Sequence, residues 1–378
     1  MLPFDPAIYA DRLKHIQNHL KQRQVSGILL FDPENIFWLT GYQTIGYFTF
    51  HTLFVGVDGE LVVIGRVVNR DLALACPTIS EFVSIVDTDE PHTVLTGWLN
   101  NRLLSNETLA LETAARNFTA RDYLAITELL HSRVIECNGI IESQRMIKSD
   151  AELASMRHAA RAAEAGLQAA IEAVAPGKTE NDVAAAMFAA NIAAGSEYLG
   201  HPPLVVAGET TSLCFAMWQR RTIQKNDVVL LEAAGCINRY HAMLSRPVVA
   251  GKASSQHREA ADALQGVLES AIAAIQPGLT AGEVDAACRA VVEERGLGSY
   301  FRHRSAYGIG LGFPPNWSEG HIYAIRPDDP LVLQPGMTFH VIPTLFLEGF
   351  GMCFSDSVVV TESGCELLTR FERRLFEI

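Results

Sequence analysis

The first residue pattern with chemical potential is a carboxylate closing an apolar run. Val228-Val229-Leu230-Leu231 leads into Glu232, followed by Ala233-Ala234-Gly235-Cys236-Ile237-Asn238-Arg239-Tyr240-His241-Ala242-Met243-Leu244-Ser245-Arg246. A buried charge is costly unless it is paired or used. Glu232 is therefore either a nucleophile or general base, or a strand-end acid neutralised by Arg239 or Arg246. His241 is a candidate proton shuttle for it. On an unbroken strand, odd offsets face away from Glu232, so a turn at Gly235–Asn238 is needed to reset the phase.

A second segment runs His303-Arg304-Ser305-Ala306-Tyr307-Gly308-Ile309-Gly310-Leu311-Gly312-Phe313-Pro314-Pro315-Asn316-Trp317. Its glycines let the backbone approach another group closely. Trp317 and the prolines suit the wall of a small pocket. His303 either orients Tyr307 or is a satisfied core histidine. His340 reads as packing beneath the site. Asp356 either faces the cleft as partner to a cation or caps a strand. Near the N-terminus, Tyr42, Tyr47, Phe48 and His51 follow a Thr40-Gly41 turn, and read equally as core aromatics or as a functional loop.

The elements that must position these groups fall into two parts. The first alternates helices and strands, with a helix over Asp11–Arg23 and a buried strand over Ser26–Phe31. Leu53–Val57 and Leu61–Gly65 flank Asp58-Gly59, a hairpin signal because both turn residues tolerate positive φ. Further strands are predicted at Phe82–Val86, Leu109–Glu112 and Val134–Cys137. Gln144–Ser149 reads as a junction before a long helix from about Asp150 to Ala175, giving domains 1–145 and 146–378. The second part repeats itself: Ala170–Thr179 with Asp182–Ala185 matches Ala271–Thr280 with Glu283–Ala286 at a constant shift of 101 residues. Each copy is a helix, a Pro-Gly stop, a Thr N-cap with an acid three residues later, and a second helix. Strand-rich sequence follows each copy. Two such halves predict a pseudo-twofold α+β domain with a cleft between them.

Composition narrows the function classes. With 378 residues, 48% of them hydrophobic and 19% charged, the chain suits two or three ordinary packed cores. A net charge of −13 repels phosphate backbones, so nucleic acid is not an expected partner. Nothing reads as a membrane span. The opening residues Met1–Asp5 show no secretory pattern. The seven cysteines are scattered without a close pair, which predicts reduced thiols in the cytoplasm.

The two chemical segments, the Pro-Gly repeat, Gln334–Phe339 and Asp356–Glu362 together resemble the pita-bread family of methionine aminopeptidase, proline dipeptidase, aminopeptidase P and creatinase. The resemblance covers the whole chain and implies a smaller creatinase-like α/β domain before an α+β pita-bread domain. Family peptidases hold two metal ions with two Asp, one His and two Glu. Here those positions fall on Glu232, Met243, Tyr307, Ile342 and Ser355, so only one of the five ligand positions still holds a carboxylate. Hard divalent ions want several oxygen or imidazole donors, so no metal and no other cofactor is expected.

Within the family the sequence resembles the metal-free ectoine hydrolases better than it does creatinase. The similarity lies at Leu231-Glu232, Gly235-Cys236, Arg239-Tyr240-His241, Leu244-Ser245-Arg246, Tyr307, Ile309–Leu311, Pro314-Pro315, Trp317 and Gly336–His340. It implies metal-independent hydrolysis of a small polar amidine or guanidino compound. Glu232 would be the nucleophile, and His241 and Tyr307 would move protons. Tyr240, Arg246, His303, Trp317, Asp356, Tyr47 and His51 would bind substrate, the last two from a loop reaching the cleft of a homodimer partner. Arg246, Arg302 or Arg304 would pair with a substrate carboxylate, and Glu232 and Asp356 with its cationic ring. Phe215 stands where that group carries a histidine, Ser355 where it carries an acid, and Gln219-Arg220 where acidic residues are expected. The alternatives are creatinase-like amidino hydrolysis or another C–N cleavage, a non-catalytic small-molecule-binding relative, and, less favoured, an Xaa-Pro metallopeptidase.

Overall fold

A computed structural model describes residues 2–378, which divide after Arg145 into two compact units. In the first, strands β1 (Gly27–Leu30), β2 (His51–Gly56), β3 (Leu61–Arg66), β4 (Glu81–Ile85), β5 (Thr108–Leu111) and β6 (Arg133–Glu136) form one mixed sheet ordered β4-β3-β2-β1-β5-β6. The β2–β3 hairpin turns at Asp58-Gly59, where Gly59 has φ 94°. The apolar positions of these strands pack with those of the flanking helices, Leu29, Phe54, Ile64 and Leu109 meeting Leu95, Leu99 and Ile126.

The second unit is built from the internal repeat. Helices Asp150–Ala173 and Glu180–Ala193 recur as Ser255–Ala274 and Ala281–Glu294. The equivalent caps form the same reciprocal hydrogen bonds: Thr179 with Asp182, and Thr280 with Glu283. The first helix pair backs a sheet of β7 (Leu204–Ala207), β8 (Val228–Ile237), β9 (Tyr240–Val249) and β17 (Phe376–Glu377), ordered β17-β9-β8-β7. The second pair backs β10 (Ala306–Gly308), β11 (Ala324–Ile325), β12 (Thr338–Val341), β15 (Asp356–Thr361) and β16 (Gly364–Leu367), ordered β11-β10-β12-β15-β16. A small hairpin of β13 (Thr344–Phe346) and β14 (Gly351–Cys353) precedes β15.

The two sheets meet at a seam. Ser245 of β9 and Ser355 exchange backbone hydrogen bonds of 3.3 and 3.0 Å. Ser245 is also the direct partner of Glu232 across β8–β9. The repeat therefore brings the middle of the first half's central hairpin against the strands of the second half. No helix among the described residues is long and apolar enough to cross a membrane.

Candidate active site

A cavity of about 360 Å³ opens beside this seam, lined by Leu230 and Glu232 of β8 and by Tyr307 of β10 among others. Strand alternation decides which side chains reach it. Glu232 faces the cavity, and on β9 the same face is shared by Ser245, Met243 and His241. On the second sheet Tyr307 and His340 are direct cross-strand partners, which brings the two rings together. His340 Nδ1 lies 2.8 Å from the Tyr307 hydroxyl and 3.8 Å from Glu232 Oε1, and its Nε2 lies 2.6 Å from Ser355 Oγ. One imidazole thus touches the side chains at three of the five family ligand positions. Ile342, a fourth, also lines the cavity.

Burial governs the protonation of this cluster. Glu232 has no side-chain hydrogen bond among the described residues, and burial pushes its carboxyl up to about 8. Burial, aided by His303, holds His340 well below the usual imidazole value, so its contact with Glu232 is not an ion pair at neutral pH. Tyr307 is driven well above the ordinary phenol value by burial and then by the Glu232 charge. The Cys353 thiol is raised to about 12, chiefly by burial. The lowered His303 and raised Cys214 follow the same rule. Each of these groups is driven towards its neutral form, while Arg304, whose Nη1 donates to the Gly320 carbonyl at 2.9 Å, brings a fixed positive charge to the wall.

The donor set does not fit a divalent metal. Among the described residues no three His, Cys, Asp or Glu side chains come together as ligands. At the five family positions a thioether and a hydrocarbon replace two carboxylates, and Tyr307 and Ser355 already hydrogen-bond His340. Glu232 remains as a single hard anionic donor.

Residues 154–362 match metallopeptidase family M24, and residues 12–147 match the creatinase/prolidase N-terminal domain. The chain belongs to metallopeptidase family M24. It is 28% identical to ectoine hydrolase of Halomonas elongata, over 99% of this chain and 98% of that one. It is 30% identical to an uncharacterized hydrolase/peptidase of Sinorhizobium fredii, with the same coverage. Among solved structures, the prolidase of Thermococcus sibiricus superposes with a TM-score of 0.88 at 22% identity, over 98% of this chain and 99% of that one. The dipeptidase PepE of Mycobacterium ulcerans gives 0.83 at 25% identity, covering 99% of each chain. The family resemblance read from the sequence is thereby established, as is the creatinase-like plus pita-bread architecture, and the chain is an M24-type hydrolase.

Of the residues singled out in the sequence, Glu232, Tyr307, His303 and Trp317 line the cavity together with Arg304. The Trp317 ring stands 4.8 Å from that of His201. Four others are corrected by the strand geometry. The hairpin turns on Asn238 and Arg239, both with positive φ, so His241 does share the face of Glu232, but it pairs with Cys236, four residues along β8. That is roughly 13 Å away at about 3.3 Å per residue. There His241 Nε2 accepts from the Gly200 amide at 3.0 Å, outside the cavity. Tyr240 and Arg246 have the opposite parity. Tyr240 donates to Glu152 in the core. Arg246 is fully buried and donates to Asp356 Oδ1 at 3.0 Å, while Arg373 donates to Asp356 Oδ2 at 2.7 Å. The expected substrate-binding Arg246 and Asp356 are instead a structural ion pair behind the site.

In the first unit, Tyr47 lies on a short 3-10 turn (Gly46–Phe48). His51 begins β2 rather than capping a loop. It is buried with its ring 5.7 Å from that of Tyr42, and burial lowers it to about 4. His201, Cys214, His321, Thr344 and Cys353 line the cavity without having been singled out. They come from separate segments with no shared motif, and only the fold assembles them. The contacts of His340 with Tyr307, Ser355 and Glu232 were not read from the sequence, where it stood only as packing beneath the site.

Proposed function

We propose that this chain opens a cyclic amidine of the ectoine type by metal-independent hydrolysis, with Glu232 as nucleophile. The observation that carries the reading is a single buried carboxylate facing a cavity from which the family's other metal ligands have been replaced. An amidinium carbon is electron-poor and needs no metal to polarise it, whereas a peptide carbonyl is less electrophilic. Similarity to a protein named ectoine hydrolase supports the same substrate class.

The empty site keeps Glu232 protonated at neutral pH, and a bound amidinium favours its carboxylate, so binding releases a proton. Glu232 Oε then bonds to the amidinium carbon as the C=N electron pair moves onto nitrogen. The ring C–N bond breaks, and a proton passes from the retained nitrogen to the departing one. Tyr307 suits that transfer: its hydroxyl donates to one nitrogen while accepting from the other, so no charge builds on a phenol that burial keeps neutral. Water adds to the resulting imidate carbon, one proton going to its nitrogen and the other to the Glu232 oxygen as the ester bond breaks. The products are an amide and an amine, and Glu232 returns protonated. His340, held by Ser355, fixes the Tyr307 hydroxyl. Arg304 is placed to pair with a substrate carboxylate.

The test is proton NMR of purified protein with ectoine and related cyclic amidines. Ring opening to an N-acyl diamino acid is expected, and Glu232→Gln should lose turnover by roughly a thousandfold while still binding. Turnover intact in Glu232→Gln removes the nucleophile assignment. Absence of any amidine or guanidine binding favours a non-catalytic relative.

A further inference from the structure

The cavity has two unlike walls. One carries His303, Arg304, Asn316 and His321 from the segments around β10, and the other is apolar, built from Leu204, Val206, Leu213, Phe215, Ala216 and Phe346. The apolar wall extends to the mouth, where Leu213 is 61% and Phe215 73% exposed. Exposed apolar side chains clustered at a cleft mark a surface that binds something. Phe215 also has φ 62°, a left-handed conformation that is uncommon for a bulky side chain and is kept only where surrounding structure enforces it.

The root of this arm is pinned. Thr211 Oγ1 accepts from the Gly351 amide at 2.8 Å, and Ala216 N donates to the Leu213 carbonyl at 3.2 Å. Cys214, between the two exposed residues, lines the same cavity as Glu232. The arm therefore stands beside the reacting group, fixed at its base and apolar at its tip. A volume of about 360 Å³ falls where pockets hold drug-sized ligands of roughly 300 Å³ and upward, more than a compact zwitterionic ring fills.

We propose that the substrate carries an apolar substituent of several carbons, seated against Leu213, Phe215 and Phe346 while its amidinium group meets Glu232. This rests on the amidine reading above and narrows it: the preferred substrates are alkyl- or aryl-substituted amidines rather than the smallest members of the class. Phe215, on the apolar wall at the mouth, is then a specificity-determining residue.

Calorimetric titration of the full chain with acetamidine, butyramidine and hexanamidine tests this. Complete burial of a methylene strengthens binding by about fourfold, so with partial burial hexanamidine should bind at least about thirtyfold more tightly than acetamidine. Leu213→Ser combined with Phe215→Ser should cut that gain below about fivefold while leaving acetamidine affinity within about twofold, and Phe215→Leu should retain the gain. Flat affinity along the series, with acetamidine still bound, overturns the apolar subsite and leaves the amidine reading standing. An undiminished gain in the double serine variant also overturns it. So does a change confined to the sedimentation coefficient, because the arm then covers a partner subunit. If none of the three amidines binds, this proposal falls together with the amidine reading itself.

Discussion

Replacing Glu232 by Gln should stabilise the fold, by an amount that grows with pH. The carboxyl is 3% exposed and has no side-chain hydrogen bond among the described residues, so the isosteric amide forfeits none. Its ordinary value of 4.5 is raised to about 8 by burial. Between those limits the unfolded chain has lost the proton while the folded chain holds it. The unfolded state thus binds fewer protons, and stability falls as pH rises. At about 1.4 kcal/mol per pH unit, the ceiling is roughly 5 kcal/mol, reached near pH 8 and absent below about pH 4.5. Water entering the cavity reduces the figure, so a gain of about 2 kcal/mol at pH 8 is expected. Urea unfolding of both proteins at pH 5, 6, 7 and 8 measures it, with the difference widening at each step. A difference independent of pH, or a variant less stable at pH 8, refutes the claim that Glu232 is buried without compensation.

The same raised value governs catalysis on a cationic substrate. kcat/KM should fall as pH drops below about 8 and level off above it, since only the ionised carboxylate attacks; a profile flat from pH 6 to 9 contradicts this. The purified chain should hold far less than one equivalent of Zn, Mn, Co or Fe by elemental analysis, and chelators should not change its activity; stoichiometric metal ends the metal-independent reading. His340→Phe should lower kcat by about a hundredfold with KM within about threefold, because Tyr307 and Ser355 lose their shared partner; unchanged kcat would show that the imidazole only fills space. A homodimer is expected from the first unit's surface. There Phe48 is 75% and Val68 71% exposed on adjacent 3-10 turns, Gly46 of one facing Asn69 of the other. Phe48→Asp with Val68→Asp should give monomers in sedimentation, and an unaltered species excludes that surface.

Sequence alone determined the frame. The repeat at 101 residues, with its Thr caps, Pro-Gly stops and following strands, specified two equivalent halves because capping and turn chemistry are local and act through neighbours in the chain. Family spacing picked out Glu232 and the ligand positions lost to Met243, Tyr307, Ile342 and Ser355. Tertiary structure decided which side chains meet. His241, Tyr240, Arg246 and Asp356 all read as site residues, yet one two-residue turn at Asn238-Arg239 set the register. That register placed His241 too far along the strand and turned Tyr240 and Arg246 to the opposite face, where Arg246 pairs with Asp356. His340 reached Glu232, Tyr307 and Ser355 through cross-strand pairing and a seam between two sheets, both of them contacts between residues distant in the chain. The protonation of Glu232 is likewise a tertiary property, because the desolvation that raises it comes from residues of β7, β8, β10, β13 and β14 closing over one carboxylate.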